Sequence, residues 1–133
     1  ISEKDFKKDE YINIVQDLSA VTAACFMTRK QLYIDMLGFD EKLAVAFNDV
    51  DFCLKVRTAK YLIVYNPFVE AYHYESKSRG EDTENSEKQK RFAKEYELFV
   101  KRWSKVIAKG DPYYNKNYRL DTDLPKINYN KIN

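Results

Sequence analysis

The sequence predicts an α/β fold in which a few strands pack against two or three helices. Apolar runs of strand length alternate with segments of helical periodicity, and the last helical segment is long and amphipathic. The chain has 133 residues, of which 44% are hydrophobic and 33% charged, a balance typical of one globular domain with a single core. We therefore predict one domain over residues 1–133, ending in an extended tail at 111–133.

Four runs are predicted to be extended. The run at 19–27 consists largely of small apolar residues, and its length suits a strand that is buried on both faces. Residues 61–65 form a second apolar run, which ends just before an Asn-Pro turn. A short strand at 11–15 and an extended run at 68–74 complete the set.

Three segments have the periodicity of helices. Residues 29–37 lie between Thr28, a good N-cap, and Gly38, which suits the position after a helix C-terminus. A second helix is predicted at 50–59 and a third, much longer one at 86–108. The long helix carries apolar side chains at every third or fourth position: Phe92, Tyr96, Phe99 and Trp103. This stripe predicts a face that packs on the rest of the domain.

Composition argues against several classes of function. The formal net charge is only +2 and the lysines are spread along the chain, so no nucleic-acid partner is predicted. The three glycines form no phosphate-binding loop, and no apolar run is long enough to cross a membrane. Cys25 and Cys53 match no zinc motif and are interpreted as small buried hydrophobic residues in a reducing compartment. Because the chain begins with Ile, we expect a piece of a longer protein.

The most informative stretch is 44–55, where Asp49 and Asp51 interrupt an apolar run. Burying an unpaired carboxylate is costly, so these two acids have either a structural or a chemical task. Near a helix start they favour the helix dipole, and Asn48 or Asp49 can cap the first turn. A carboxylate fixed beside a cleft can also serve as a general base. The two interpretations are compatible, and the residues alone leave both open.

His73 is the only histidine, and it lies near the end of an extended run. It is either a hydrogen-bonded structural residue or a group that binds a metal ion or an anion. The loop that follows carries Lys77 and Arg79, which alternate with the hydroxyls of Ser76 and Ser78. These groups can clamp a diphosphate, although solvated surface loops often have the same composition.

Three segments in a fixed order resemble the C-terminal half of a family 2 glycosyltransferase with the GT-A fold. They are Ala-Val-Thr-Ala-Ala-Cys at 20–25, Gly-Phe-Asp-Glu at 38–41 and Asn-Asp-Val-Asp-Phe-Cys-Leu at 48–54. The sequences at 61–67, 72–76 and 111–115 fit the same pattern. The resemblance spans about residues 18–121, and its specificity comes from the order and spacing of the segments together.

This resemblance implies a partial GT-A-like fold and an inverting glycosyltransferase. Such an enzyme transfers a sugar from a nucleotide-sugar donor to a hydroxyl of a glycan or lipid-linked acceptor, in surface polysaccharide biosynthesis. By their positions in the motif, Asp49 is the implied catalytic base and Asp51 a supporting acid. His73 is implied to hold the metal ion, Mg²⁺ or Mn²⁺, and we expect Lys77 and Arg79 to bind the diphosphate.

The sequence departs from the family at its N-terminal side. A complete GT-A domain begins with a nucleotide-binding βαβ half that carries an Asp-x-Asp metal motif, and no such half precedes Ser19. We therefore expect the acceptor-side, C-terminal fragment of a catalytic domain, inactive without an N-terminal half that supplies the donor-side metal ligands. An open sheet edge and an uncovered apolar face predict that this fragment self-associates as a dimer or larger assembly. The implied location is cytoplasmic, free or at the inner face of the cell membrane.

A non-enzymatic module is the alternative interpretation. The chain contains 11 tyrosines and 8 phenylalanines, and aromatic side chains line surfaces that bind sugars and protein partners. On this interpretation the chain is a small α/β module that binds carbohydrate or a protein partner. An upstream half with its own Asp-x-Asp motif would favour the enzyme.

Overall fold

A computed structural model describes residues 13–72, 86–121 and 126–128. In chain order the elements are strand β1 (Gln16–Asp17), a 3-10 turn (Ala23–Cys25), helix α1 (Lys30–Asp35), helix α2 (Asn48–Thr58), strand β2 (Val64–Tyr65) and helix α3 (Ser86–Lys109). A small two-stranded sheet is thus combined with helices, the last of them long, and this confirms the predicted α/β class.

The sheet is an antiparallel pair of very short strands, in which Gln16 of β1 lies opposite Tyr65 of β2. The Leu18 N–H extends the pairing by donating to the Ile63 carbonyl over 2.8 Å. Of the strand predicted at 61–65, only the last two residues have strand geometry. The sheet therefore ties the start of the described chain to the segment that follows α2.

Two predicted strands take other conformations. The run at 19–27 is not a buried strand, because its centre is the 3-10 turn, where the Thr22 hydroxyl accepts the Ala24 N–H at 3.3 Å. A threonine that caps its own turn competes with sheet pairing, and small side chains gain little by burial. The described part of the run at 11–15 also lies outside the sheet, which begins at Gln16.

The run predicted at 68–74 is described up to Tyr72, and that part is paired with no strand among the described residues. A turn precedes it, in which the Asn66 side chain accepts the Phe68 N–H at 3.0 Å. Phe68 and Tyr72 are 84% and 87% exposed. This segment therefore presents aromatic rings to solvent instead of adding a strand to the sheet.

The helix predicted at 29–37 is confirmed as α1, which is shorter at both ends. It is followed by two residues with left-handed backbone, Leu37 (φ +59°) and Gly38 (φ +56°). A Cβ atom at Gly38 would lie 2.8 Å from the Tyr33 ring, so only glycine fits without displacing that ring. The turn after α1 is thus set by one glycine and one aromatic side chain.

The core lies between α2 and α3, as the apolar stripe of the long helix predicts. α3 ends one residue beyond the predicted 86–108, and α2 begins two residues before the predicted 50–59. Leu43, Leu54 and Phe99 form the buried centre. Around it pack partly buried side chains from both helices and the preceding loop: Phe47, Val50, Leu98, Val100, Trp103 and Val106.

A second apolar cluster fixes α1 against α2. It consists of four rings, those of Phe26, Tyr33, Phe39 and Phe52, and the centroids of contacting pairs are 5.2–5.9 Å apart. Tilted and edge-on pairs of this kind add to the stabilisation gained by burial. The turn at residues 36–40 is therefore held close to α2.

Within the described residues, no helix is both long enough and apolar enough to cross a membrane. α3 has the necessary length, 24 residues, but charged side chains cover the part of its surface that faces away from the core.

Candidate functional site

The start of α2 is an unusual turn, because Phe47 has a left-handed backbone with φ +64°. A non-glycine residue in this region costs about 1–3 kcal/mol, and such strain persists only where the surroundings enforce it. Here the Phe47 ring stacks on Phe99 of α3, with centroids 5.0 Å apart and planes 19° from parallel. This contact fixes the direction in which the chain enters α2, and so the placement of Asp49 two residues later.

Asp49 lies in the first turn of α2 and is half-buried. One carboxylate oxygen accepts the Val50 N–H at 2.8 Å, and the other accepts the Ala23 N–H at 3.2 Å. No cation in the described part of the chain forms an ion pair with it. Asp49 is thus a fixed carboxylate with a partly accessible surface, held against the 3-10 turn.

Asp51 has a different environment, since it is 0% exposed. Its Oδ1 accepts the Arg102 Nη1–H at 2.7 Å and the Trp103 Nε1–H at 2.9 Å, both from α3. The Lys55 ammonium lies 3.4 Å from its Oδ2. Asp51 therefore lies in the interior between α2 and α3, neutralised by two cations.

Arg102 extends this network to the turn after α1. Its Nη2 donates to Asp40 Oδ2 at 2.5 Å, and the Lys55 Nζ donates to the Gly38 carbonyl at 2.7 Å. The Arg102 guanidinium, and secondarily the Lys42 backbone N–H, hold the pKa of Asp40 below its usual value. Asp40, and to a lesser degree Asp51, raise the pKa of Arg102. The guanidinium is therefore charged at any physiological pH.

A buried glutamate of α3 holds the other side of the same turn. Glu95 is 4% exposed, and its Oε2 accepts the Ala46 N–H at 2.6 Å and the Val45 N–H at 3.4 Å. Its Oε1 is 3.8 Å from Arg91 Nε. Neither Glu95 nor Arg102 was among the residues predicted for the site. The signal that could have found Glu95 is an acid four positions before Phe99, on the apolar face of the helix.

The structure brings together segments that the resemblance to glycosyltransferases only lists in order. The 20–25 segment meets α2 through two hydrogen bonds. The Ala23 N–H donates to the Asp49 carboxylate, and the Cys53 thiol donates to the Val21 carbonyl at 3.8 Å. The 38–41 segment meets α2 directly, because the Lys55 ammonium donates to the Gly38 carbonyl, and indirectly, because Arg102 of α3 pairs with both Asp40 and Asp51. Two separated stretches of sequence, 20–25 and 38–41, therefore converge on α2, which contains the third, 48–54.

The 111–115 segment joins this arrangement at the far end of α2. The Ser19 hydroxyl donates to Asp111 Oδ1 at 2.5 Å and accepts from Arg57 Nη1 at 2.8 Å. The Arg57 guanidinium also lies over the Tyr113 ring, 5.1 Å from its centroid. The beginning of the predicted tail is thus attached to α2 and to the residues before the 3-10 turn.

The two cysteines differ in their environments. Cys53 is buried as predicted, and burial raises the pKa of its thiol. Cys25 is exposed, so the prediction of a buried residue was wrong for this position. The reason is the 3-10 turn, which places Cys25 at the surface where a two-sided strand would have buried it.

The remaining predicted site residues, His73, Lys77 and Arg79, lie outside the described residues. Within the described part, no group of three or more His, Cys, Asp or Glu side chains is arranged to hold a metal ion. Asp49 and Asp51 do not fit Mg²⁺ or Mn²⁺ as a pair, because Asp51 is enclosed by protein cations and an indole N–H. The chemistry available here is that of one accessible carboxylate, Asp49.

Two curated proteins are similar to the chain over most of its length. An uncharacterized protein y4gI of Sinorhizobium fredii (strain NBRC 101917 / NGR234) is 45% identical over 112 residues, which cover 83% of this chain and 12% of that protein. The O-antigen biosynthesis protein RfbC of Myxococcus xanthus is 30% identical over 102 residues, 76% of this chain and 8% of that protein. The chain thus spans only about a tenth of the length of either relative.

No known protein family profile matches the sequence, and no solved structure is significantly similar to it. The chain is therefore related to segments of much longer proteins, one of them named for O-antigen biosynthesis.

Proposed function

We propose that the chain is the acceptor-side, C-terminal part of an inverting glycosyltransferase of family 2, with Asp49 as its general base. The observation that carries the proposal is the placement of Asp49, a half-buried carboxylate fixed by the N–H groups of Ala23 and Val50. A general base must be held rigidly and still be reached by the proton that it removes. Asp49 meets both conditions.

Asp51 does not meet the second condition. It is 0% exposed and accepts hydrogen bonds from Arg102 and Trp103, so an acceptor hydroxyl has no access to it in this conformation. Proton transfer requires heavy atoms about 2.6–3.2 Å apart, or a single bridging water. We therefore assign proton abstraction to Asp49 and give Asp51 a supporting role inside the protein.

The proposed reaction is a single displacement at the anomeric carbon of the donor sugar. The acceptor hydroxyl gives its proton to Asp49 while its oxygen forms a bond to the anomeric carbon of the donor sugar. The bond from that carbon to the diphosphate breaks on the opposite face, and the nucleoside diphosphate leaves with the electron pair. Configuration at the anomeric carbon is inverted, because attack and departure take place on opposite faces.

The leaving diphosphate carries negative charge, which must be neutralised by cationic groups. We propose Lys77, Arg79 and the His73 region for this task, together with the N-terminal half that would complete the donor site. A divalent ion, Mg²⁺ or Mn²⁺, would supply further neutralisation when bound. The described residues provide no cluster that fits such an ion, and the step assigned to Asp49 does not use one.

Surface polysaccharide biosynthesis is the process that we propose for the whole protein. Similarity over 76% of this chain to a protein named for O-antigen biosynthesis supports it. The substrates would then be a nucleotide sugar and a glycan or lipid-linked acceptor. Both meet on the cytoplasmic side, free or at the inner face of the cell membrane.

The experiment that tests this proposal is glycosyl transfer by the full-length natural protein that contains the chain. It would be offered a panel of nucleotide sugars with Mg²⁺ or Mn²⁺, and the anomeric configuration of any product would be determined by NMR. Transfer with inversion supports the proposal. Transfer with retention, or failure to consume any donor in the presence of lipid-linked and oligosaccharide acceptors, contradicts it.

A non-enzymatic binding module is the second candidate, favoured by the exposed rings of Phe68 and Tyr72. Such rings can stack on the apolar face of a sugar or of a protein side chain. Binding of an oligosaccharide to the chain, lost in the double variant Phe68→Ser/Tyr72→Ser, together with absence of transfer by the full-length protein, would favour the module.

A further inference from the structure

We propose that α3 positions the catalytic base, through Glu95, Arg102 and Trp103, none of which contacts substrate. The inference rests on the proposed function, since it concerns how Asp49 is held in place. These three residues fix the chain on both sides of Asp49, while Asp49 itself has no polar contact with α3.

On the N-terminal side, α3 holds the backbone that leads into α2. The Glu95 carboxylate accepts the N–H groups of Val45 and Ala46, two groups that would otherwise lack a partner in a half-buried loop. One residue later, the ring of Phe47 stacks on Phe99 and its backbone turns through the left-handed region. The direction of the first turn of α2 is therefore set by contacts with α3.

On the C-terminal side, α3 holds the side chain of Asp51. Arg102 and Trp103 both donate to the same oxygen, at 2.7 and 2.9 Å, and these donors approach from adjacent positions on the helix. Asp51 is two residues after Asp49, within the same helical turn. A shift of Asp51 would carry the backbone of Asp49 with it.

The four contact residues of α3 lie on one face of the helix. Glu95, Phe99, Arg102 and Trp103 have the spacing i, i+4, i+7 and i+8, which spans about 12 Å at 1.5 Å per residue. The apolar side chains of this face, Phe99 and Trp103, already pack in the core. A buried carboxylate with a charged partner adds little net stability compared with an apolar pair, so the polar members of the face are better explained by orientation than by stability.

Loss of these contacts is expected to displace the Asp49 carboxylate and so to lower the rate of transfer. A misplacement of about 1 Å in a catalytic group can lower the rate about 100-fold. Arg102 also forms an ion pair with Asp40, so this one side chain connects the turn after α1 to Asp51, two residues from the proposed base Asp49. We therefore expect the loss of Arg102 to lower kcat with little effect on the KM of the donor.

The test compares Arg102→Met with wild type in the full-length protein, with Arg119→Met as the matched control. Methionine keeps the apolar stem and removes the guanidinium. Arg119 also pairs with a carboxylate, Asp121, but on the exposed surface. Two quantities are measured: the exchange rate of the Ala23 amide, from deuterium uptake of peptides covering 20–27, and the kinetic constants for transfer.

We expect Arg102→Met to speed exchange at Ala23 about 10-fold and to lower kcat about 10- to 100-fold, with the KM of the donor changed less than threefold. In Arg102→Lys, the exchange rate at Ala23 and kcat should both lie between those of Arg102→Met and wild type. In Arg119→Met, both should equal the wild-type values. If Arg102→Met fails to fold, Trp103→Phe serves instead, because it deletes only the indole N–H donor and keeps the aromatic packing.

Exchange at Ala23 that stays at the wild-type rate in a folded Arg102→Met or Trp103→Phe protein overturns the proposal, whatever happens to kcat. Faster exchange with unchanged kcat also overturns it, since positioning would then be irrelevant to the reaction. A wild-type protein that transfers no sugar contradicts the proposed function instead, and the exchange measurement still decides whether α3 positions Asp49.

Discussion

At the scale of single residues, the central contrast is between two aspartates that are two positions apart. Asp49 keeps an accessible surface and accepts only backbone N–H groups, whereas Asp51 is enclosed by Lys55, Arg102 and Trp103. Identical side chains thus have different environments, because one faces the 3-10 turn and the other faces α3. Separate measurements of stability and of reaction rate distinguish the supporting role proposed for Asp51 from the catalytic role proposed for Asp49.

Stability is predicted to depend on Asp51 far more than on Asp49. Replacing Asp51 by alanine removes a fully buried carboxylate and leaves three partly buried donors, Lys55, Arg102 and the indole N–H of Trp103, without it, which costs about 3–5 kcal/mol. Asp49→Ala removes hydrogen bonds to backbone N–H groups at a helix start, which costs about 1 kcal/mol. Urea denaturation followed by circular dichroism measures both free energies of unfolding. Equal losses for the two variants would show that Asp51 is no more structural than Asp49.

The aspartate pattern also shows what the sequence could reveal about the site. Both acids were identifiable because carboxylates in an apolar run require an explanation, and the resemblance gave Asp49 its implied role. Glu95 and Arg102 were not identifiable, because each acts on residues about 50 positions away in sequence. The left-handed backbone of Phe47 was equally hidden, since nothing local in the sequence demands it.

At the scale of elements, the helices were predictable, whereas of the predicted strands only the end of the 61–65 run forms one in the described part of the chain, as β2. The stripe of apolar residues in α3 defines its bounds almost to the residue, because burial of one helical face dominates that segment. The sheet contains two residues in each strand, too few for alternation to be visible. The 19–27 run failed as a strand because a local cap from Thr22 competes with pairing to distant residues.

Two glycines with left-handed backbone provide a test of the turn after α1. A Cβ atom added at Gly38 would lie 2.8 Å from the Tyr33 ring. A Cβ atom added at Gly110 would meet no non-neighbouring atom within 4 Å. Gly110→Ala is predicted to cost only the left-handed backbone term, about 1 kcal/mol, and Gly38→Ala at least twice as much. Thermal unfolding of both variants measures this difference. Equal shifts in melting temperature would contradict the close approach of Tyr33.

The ion pair between Asp40 and Arg102 predicts an acid-dependent component of stability. Because the pKa of Asp40 is lowered in the folded state, its contribution is fully present above its unfolded value of 3.8 and is lost as the pH falls further, through the lower folded value. Asp40→Asn should therefore flatten the fall in stability at acid pH. The measurement is the free energy of unfolding between pH 2.5 and about 7 for wild type and variant. Parallel curves would contradict the prediction.

At the scale of the whole molecule, many large apolar side chains of the described residues are exposed. Several large side chains in the described residues are more than four-fifths exposed: Met27, Leu37, Phe68, Tyr72 and Leu120. Among the described residues the sheet contains only two strands. We predict that this surface packs against more protein, in a chain whose relatives extend far beyond the matched segment, which is 12% of one and 8% of the other.

The isolated 133-residue chain is predicted to self-associate as a dimer or larger assembly. Light scattering coupled to size exclusion over a range of protein concentrations measures the mass directly. Replacing Phe68 and Tyr72 by serine should lower the apparent mass, because both rings are exposed in this fold. A monomer at every concentration would contradict the prediction.

Asp49 is the residue on which the proposed reaction depends most. The measurement that tests it most directly is kcat for glycosyl transfer by the full-length protein, compared between wild type, Asp49→Asn and the control Asp35→Asn, which alters an exposed carboxylate of α1. Loss of a general base lowers the rate about 100- to 10,000-fold, so we predict a loss of at least 100-fold for Asp49→Asn and no loss for Asp35→Asn. Asp49→Asn can lose one of the two hydrogen bonds to Ala23 and Val50, so its free energy of unfolding should fall by no more than about 1 kcal/mol, and the variant should stay folded. An Asp49→Asn protein that transfers sugar at the wild-type rate would show that Asp49 only stabilises the start of α2.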